Sequence, residues 1–325
     1  MTNWPPFTYS EISFMVNGTI RFSPNLPLLS VSLFRRDTLV QALRANGHYI
    51  AMIGDGVNDV LALKQAQVGI AMQSGSQATR SVADIILLHD SFAALPLAFG
   101  EGQRIRTGLH HIILLFLTRV LFVALMLLAV VAMTDSFAFT PKQNSILAFI
   151  TGGVPALALA VWARPRRMDR RNLFVDILHF VLPAIFSMSV IGIGVFVGFS
   201  TVLGTNVERS AQTALTDFGI LCGLALMLYV VPLTPFWAIR EPVEGDARPI
   251  WLMGGLLVLF FVILAIPGLR HFFELAALNV QQSFMLIGLV LLWMVLTHLS
   301  WRFRVLERFL RLNAPLPPAE DTPLV

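Results

Sequence analysis

Cysteine and charge are both scarce in this chain. A single cysteine, Cys222, stands among 325 residues. No disulfide can form within the chain, and the apolar run around Cys222 makes it a small buried hydrophobe that leaves the redox compartment open. Charged residues make up 13% of the chain against 56% hydrophobic, and the mean hydropathy is +0.74. That balance excludes a soluble globular domain and indicates an integral membrane protein with lipid as its surrounding partner. A basic patch interleaved with aromatics is missing, and the net charge of +4 comes mostly from arginines beside apolar segments. Those arginines fit membrane orientation, and nucleic acid is not an expected partner. The opening stretch MTNWPPFTYSEISFMVNGTI has neither a basic segment leading into an apolar core nor a small-residue cleavage site, so no cleaved signal peptide is expected.

What is present divides near residue 109. Before it, apolar runs are short and punctuated by glycine; after it, they are long enough to cross a bilayer. Residues 1–34 show no strong periodicity and are assigned no role. Within residues 35–94, His48 to Ile53 reads as a strand, Val60 to Gln67 as a helix, Val68 to Met72 as a second strand and Ala83 to Leu88 as a third. Strands alternating with helices predict a parallel α/β layer. Residues 95–111 read as a helix leading into the membrane, although Gly100, Gly102 and Gly108 weaken that continuity.

A span needs about 20 mainly apolar residues, and six segments of residues 112–303 meet this: 112–133, 144–163, 174–200, 213–238, 250–269 and 283–301. Arg164, Arg166, Arg167, Arg170 and Arg171 crowd the link between the second and third. Arg302, Arg304, Arg308 and Arg311 follow the sixth. The positive-inside rule puts both clusters, and with them both termini, on the cytoplasmic side. The tail, residues 304–325, is proline-rich and is expected to be disordered. The fold class expected is therefore mainly α, a six-helix transmembrane bundle preceded by a partial α/β domain.

One motif carries recognisable chemistry. The strand HYIAMI runs into Gly54-Asp55-Gly56-Val57-Asn58-Asp59 and then a helix opening at Val60. Carboxylates are thereby placed at the C-terminal end of a parallel strand, where open α/β sheets bind ligands. Gly54 and Gly56 relieve the turn and let backbone approach a phosphate. Asp55 and Asp59 offer hard oxygen ligands for Mg²⁺, and Asn58 can donate to a phosphoryl oxygen. Taken alone, a GDG turn is also a plain strand-to-helix connection.

The longer stretch AMIGDGVNDVLALKQAQVGIAMQSGSQATRSVADIILL, residues 51–88, resembles the end of the phosphorylation domain of cation-transporting P-type ATPases, a haloacid dehalogenase-like domain. Together with FAALPLAFGEGQRIRTGLHHIILLFLTR and the six spans, the resemblance covers residues 35–303 and is nearest to bacterial pumps of the mycobacterial calcium-ATPase type. It implies a bacterial plasma-membrane location. Carried over by position, Asp55 and Asp59 match the family's Mg²⁺-coordinating aspartates and Asn58 its phosphate-contacting asparagine. Arg36 falls near the place of the family's helper lysine, with arginine where the family has lysine. The sequence contains no DKTGT segment, no TGE-type loop and no nucleotide-binding domain, so ATP would be a ligand only in a complete pump. A truncated product, a frameshift fragment and half of a split pump with a complementary chain all fit. So does a non-catalytic remnant that partners an intact pump.

The second span contains Ile150-Thr151-Gly152-Gly153-Val154-Pro155. Pro155 has no N–H for the carbonyl of Thr151, which leaves an oxygen available at membrane depth, and Gly152 and Gly153 make unwinding easier. In the family this helix is broken at a similar Gly-x-Pro and supplies cation ligands. Gly152 stands where animal calcium pumps have an aspartate, so Ca²⁺ is one candidate cation among others. A proline kink tolerated by neighbouring helices is the alternative reading. Arg119, about 10 Å into the first span, is a functional candidate, as a built-in positive charge, or a snorkelling side chain. Asp217 is a candidate ligand or a helix N-terminal residue. Thr118, a further ion-path candidate, His179, Thr297 and His298 are expected as bundle-interior hydrogen bonders.

Overall fold

The strand expected at His48 to Ile53 forms as β3, Ile50–Gly54. Ile50 and Met52 enter one apolar cluster with Val40, Ala62 and Leu63, while Ile53 joins Ile70 and Leu87 in another. Burial on both faces is what an interior strand of a parallel sheet requires. Its neighbours are β4, Val68–Met72, and β5, Ile85–Leu87. Three short helices accompany them: α1, Arg36–Ala45; α2, Val60–Gln65; and α3, Gln77–Val82.

The computed structural model describes residues 13–16, 19–21, 36–134, 136–165, 173–202, 207–232 and 246–303. The tail at residues 304–325 and the arginines Arg166, Arg167, Arg170 and Arg171 lie outside the described residues. Two compact units divide the chain, Met1–Gly100 and Glu101–Val325.

In the first unit the sheet has the order β2-β1-β3-β4-β5. β1, Ser13–Val16, pairs in parallel with β3, with Met15 opposite Met52. β2, Thr19–Arg21, returns antiparallel to β1. Residues 1–34, which the sequence reading leaves without a role, thus supply two of the five strands. Strands this short have too few residues to show a period of their own, and the ladder with β3 rather than local pattern defines them.

α4 runs unbroken over Ala94–Met133, 40 residues, or about 60 Å, and from Glu101 onward it belongs to the second unit. Gly100 and Gly102 face open space, whereas Gly108 lets α4 approach the chain near Ala163, where an added methyl would sit 3.2 Å from the Ala163 Cβ. Among the described residues five further helices are long and apolar enough to span a membrane, giving six. The second is composite: α5, Pro141–Ala148, a π-helical turn at Phe149–Gly153, and α6, Val154–Trp162. α7 covers Leu173–Val202, α8 Val207–Val230, α9 Arg248–Ala265 and α11 Val280–Arg302, with the short α10, Pro267–Phe272, after α9.

α8 is the bundle's central helix: 83% of its most apolar stretch is buried, against 22% for α9 and for α11. Indole and phenol groups lock α11 to its neighbours. Trp293 Nε1 donates to the Ala184 carbonyl, Trp301 Nε1 to that of Phe180, and the Tyr229 hydroxyl to that of Met294. Ser187 and Thr297 share a hydrogen bond of 2.9 Å. A hydroxyl pair between helices is the interior role expected for Thr297.

Polar ties close the two ends of the composite span. At its start, Gln143 donates to the Glu274 carbonyl, Lys142 pairs with the Glu274 carboxylate at 3.0 Å, and the Ala276 amide donates to Thr213 Oγ1. At its finish, the Arg104 guanidinium donates to the Val161 carbonyl at 2.7 Å, satisfying a helix-terminal acceptor. There too the buried Asp246 gathers Arg248 at 2.6 Å and Arg164 at 3.4 Å.

Candidate functional site

The acidic loop begins where β3 ends at Gly54 and closes through a 3₁₀ turn at Val57–Asp59 into α2. Asp55 and Asn58 are exposed at the carboxyl end of β3, while Asp59 is only 1% exposed. Asp59 anchors the loop from within. Its Oδ2 accepts from the amides of Asp55 and Gly56, both at 3.3 Å, and its Oδ1 pairs with the Arg36 guanidinium. Gly54 is required for this packing, since an added methyl would lie 2.6 Å from the Asp59 Cβ.

A second segment fixes the loop's backbone. The Ser76 amide donates to the Asp55 carbonyl at 2.8 Å, and Thr79 Oγ1 donates to the Gly56 carbonyl at 2.9 Å. Ser76 also caps α3, its Oγ accepting from the Thr79 amide. Gly75 allows the approach, because a methyl there would meet the Asp55 carbonyl oxygen at 2.9 Å. The sequence reading missed Gly75, Ser76 and Thr79. A Ser-x-x-Thr capping pattern before a short helix is visible in the sequence, but its contact with a loop some 20 residues earlier is not.

Exposed Asp55 suits a hard divalent cation. Among the described residues no cluster of three or more His, Cys, Asp or Glu side chains forms. Mg²⁺ needs no such cage, since it keeps several waters and takes one or two carboxylates. The donor set therefore fits Mg²⁺ through Asp55. Asp59, shared between a guanidinium and two amides, retains lone pairs but is largely committed.

In the second unit, three residues named from the sequence meet at one cavity. Thr118, Arg119 and Thr151 line a void of about 10 Å³ together with Phe122, Gly219 and Gly223. Both threonine hydroxyls donate to their own helices, Thr118 to the Leu114 carbonyl and Thr151 to that of Leu147, each at 2.7 Å. Arg119 lies against Gly152, where an added methyl would stand 3.6 Å from its Cδ and Nε. The Phe116 ring flanks the guanidinium at 5.6 Å.

Two expectations about this region are corrected. The segment around Gly152 and Gly153 does not unwind: it stays helical, widened to a π-turn in which the Val154 amide bonds the Phe149 carbonyl. The wider turn keeps the Val154 amide paired directly before Pro155, which still has no N–H to donate. Asp217 does not lie at a helix start. α8 begins at Val207, ten residues earlier, so Asp217 is an interior residue, 6% exposed. Nor does it line the cavity with Arg119. The polar stretch VERSAQT hides the first turns of α8 from a hydropathy reading.

Comparison with known proteins agrees with this anatomy. The haloacid dehalogenase-like hydrolase family matches residues 37–95, the segment holding the acidic loop. The calcium-transporting ATPase CtpE of Mycolicibacterium smegmatis is 31% identical over 284 residues, 82% of this chain and 34% of that protein. Its namesake from Mycobacterium bovis is 32% identical over 263 residues, 77% of this chain and 31% of that protein. A calcium-transporting ATPase of Bacillus subtilis is 26% identical over 264 residues, 77% of this chain and 29% of that protein. The chain belongs with the P-type cation ATPases and is an integral membrane protein. It spans about a third of the length of these relatives.

Proposed function

We propose that this chain supplies the Mg²⁺ loop and six helices of the ion path of an ATP-driven cation pump. The observation that carries the reading is the acidic loop, with Asp55 and Asn58 exposed where β3 ends and Asp59 held beneath them by Arg36. Phosphoryl transfer depends mostly on positioning and on neutralising charge. Bound Mg²⁺ would neutralise phosphoryl charge. Asp55 holds the ion, Asn58 donates to a phosphoryl oxygen, and Arg36 and Asp59 keep the loop in shape. Gly54 and Gly56 give a phosphate room to approach. In the membrane, Thr151, Gly152 and Pro155, with Thr118 and Arg119, form the cation path, and Ca²⁺ is the first cation to test because the relatives are named for it.

Covalent catalysis needs a nucleophile, and metal ligands only stabilise charge around one. These 325 residues contain no DKTGT segment, so the aspartyl-phosphate should form on residues outside them, which a complementary chain can supply in the test. The test is radiolabelled ATP with Mg²⁺ and an acid quench, on this chain alone and co-expressed with a DKTGT-bearing partner. Hydroxylamine-sensitive label is expected on the partner, and only when both are present. Label on this chain alone, or none in the pair, refutes the reading.

The same proposal places both termini on the cytoplasmic face of a bacterial plasma membrane, on the strength of the arginine clusters. Reporter fusions after Arg164 should read cytoplasmic. An outer-face signal there overturns the orientation.

A further inference from the structure

The acidic loop has a neighbour that its chemistry does not use. β1 lies parallel to β3 with Val16 opposite Ile53, so both strands end at the edge of the sheet where the loop begins. A nucleophile serving a phosphoryl group at Asp55 and Asn58 must come within about 3–3.5 Å of the phosphorus. Neighbouring strands lie about 4.8 Å apart, which makes a strand beside β3 the nearest backbone from which a side chain can reach. On one flank that place belongs to β4, whose following turn is already bound to the loop by the Ser76 amide on the Asp55 carbonyl. On the other flank the place is filled by β1. The strands SFMV and TIR of β1 and β2 carry no carboxylate.

The hairpin is also lightly held. Its strands have four and three residues, Val16 pairs with Thr19, and the intervening Asn17-Gly18 is the dipeptide that two-residue hairpins favour. A hairpin of this size is marginal by itself, and its tie to the rest of the sheet is the single ladder with β3. β3 has other support: it pairs with β4, and Ile50 and Met52 pack with Val40, Ala62 and Leu63. Ile50 turns both its amide and its carbonyl to Gln67 on the β4 side. Alternation along the strand turns Met52 the same way and Ala51 and Ile53 towards β1. Uncovered, Ala51 and Ile53 would form an edge that templates pairing with another chain.

We propose that the β1–β2 hairpin is an exchangeable cover beside the acidic loop, and that an extended segment of a complementary chain, bearing the carboxylate nucleophile, replaces β1 next to β3. This rests on the reading of the chain as the Mg²⁺-binding part of a pump and adds how the nucleophile docks. The incoming strand takes the direction of β1, which brings its C-terminal end to the loop, where open α/β sheets bind ligands. Until then the hairpin keeps the β3 edge from pairing with other strands. Affinity for the partner is reduced by the fraction of chains whose hairpin is open. Weakening the hairpin should therefore strengthen capture of the partner.

The test follows amide hydrogen exchange, residue by residue, in the full chain in lipid nanodiscs without ATP, alone and with a co-expressed DKTGT-bearing partner. In the pair, residues 13–16 should lose protection at least about tenfold relative to the chain alone, while Ala51 and Ile53 keep theirs, the mark of one strand replaced by another. Residues 13–16 still protected in the pair overturn the proposal. The acid-quench label is read separately, so a labelled pair with β1 in place sinks the exchange and leaves the pump reading standing. An exchanged pair without label does the reverse. Two variants test the cover itself. Deleting residues 1–21 should expose the Ala51 and Ile53 amides, leave that of Met52 protected by β4, and tighten partner binding at least about tenfold. Met15→Pro, which removes an amide from β1, should act in the same direction and less strongly. Loss of Met52 protection on deletion, or weaker capture of the partner by both variants, would show β1 to be a fixed part of the sheet and overturn the proposal.

Discussion

Gly223 on α8 and Thr151 in the π-turn are fitted to one another: a methyl added to Gly223 would lie 2.6 Å from Thr151 Cγ2 and 2.7 Å from its Cβ. The absence of a side chain at 223 lets the central helix of the bundle touch the widened turn. Gly219, one turn earlier, serves Phe122 and Leu147 in the same way, with contacts of 3.2 Å to each.

Gly223→Ala should therefore push α8 away from the π-turn. Overpacking of this kind costs about 1–3 kcal/mol, read as a lower thermal midpoint of the purified chain in detergent. Thr151→Ser should restore only part of the loss, since the Cβ contact remains. An unchanged midpoint for Gly223→Ala would mean that the two helices are not in contact here.

Thr151 itself is expected to matter for ions rather than for folding. Its hydroxyl bonds within its own helix, so Thr151→Val preserves shape and removes the oxygen. In a complete pump containing this chain, Thr151→Val should weaken cation-stimulated ATP hydrolysis through apparent ion affinity, with the thermal midpoint preserved. Unchanged affinity removes Thr151 from the path.

Arg36 and Asp59 form the ion pair that closes the acidic loop, with side-chain exposures of 35% and 2%. Removing Arg36 leaves a buried carboxylate without its cation, whereas the half-buried arginine loses little. Arg36→Ala should cost the first unit about 1–3 kcal/mol and speed hydrogen exchange at the Asp55 and Gly56 amides. Arg36→Lys should retain part of the protection, because a lysine keeps the charge without the planar fork. Exchange unaltered in Arg36→Ala would show that the pair does not hold the loop.

Asp246 gives a pH signature. Hydrogen bonds from the Arg248 guanidinium, opposed by burial and helped by the Arg248 amide and the charges of Arg248 and Arg164, hold its carboxyl at about 2 against an ordinary value of 3.8. A depressed carboxyl pKa stabilises the fold above its unfolded value and loses that stabilisation as pH falls through the folded one. The contribution should be intact above pH 3.8 and fade towards about 2. Thermal midpoints measured across this window should fall less steeply in Asp246→Asn than in the unaltered chain. Identical slopes would detach Asp246 from the acid response.

The apolar runs were legible as spans because length and composition alone decide whether a helix can cross a bilayer. β3 and β4 were legible for a similar reason, each being an apolar run bounded by glycine or a helix signal. Arg36 could be named from its spacing, but only the fold brought its guanidinium to Asp59. The Ser76 and Thr79 contacts, separated from the loop by a strand and a helix, had no local trace.

By itself, then, the sequence determined the membrane class, the six spans and the residue types of the acidic loop, since hydropathy and short-range pattern are properties of neighbouring residues. The tertiary structure decided that residues 13–21 join the sheet, that a π-turn precedes Pro155, that Asp217 is interior, and that Arg119 lies against Gly152. Each of these depends on a ladder, a helix crossing or a close approach between segments distant in the chain. Such contacts are set by packing, which no local window of sequence contains.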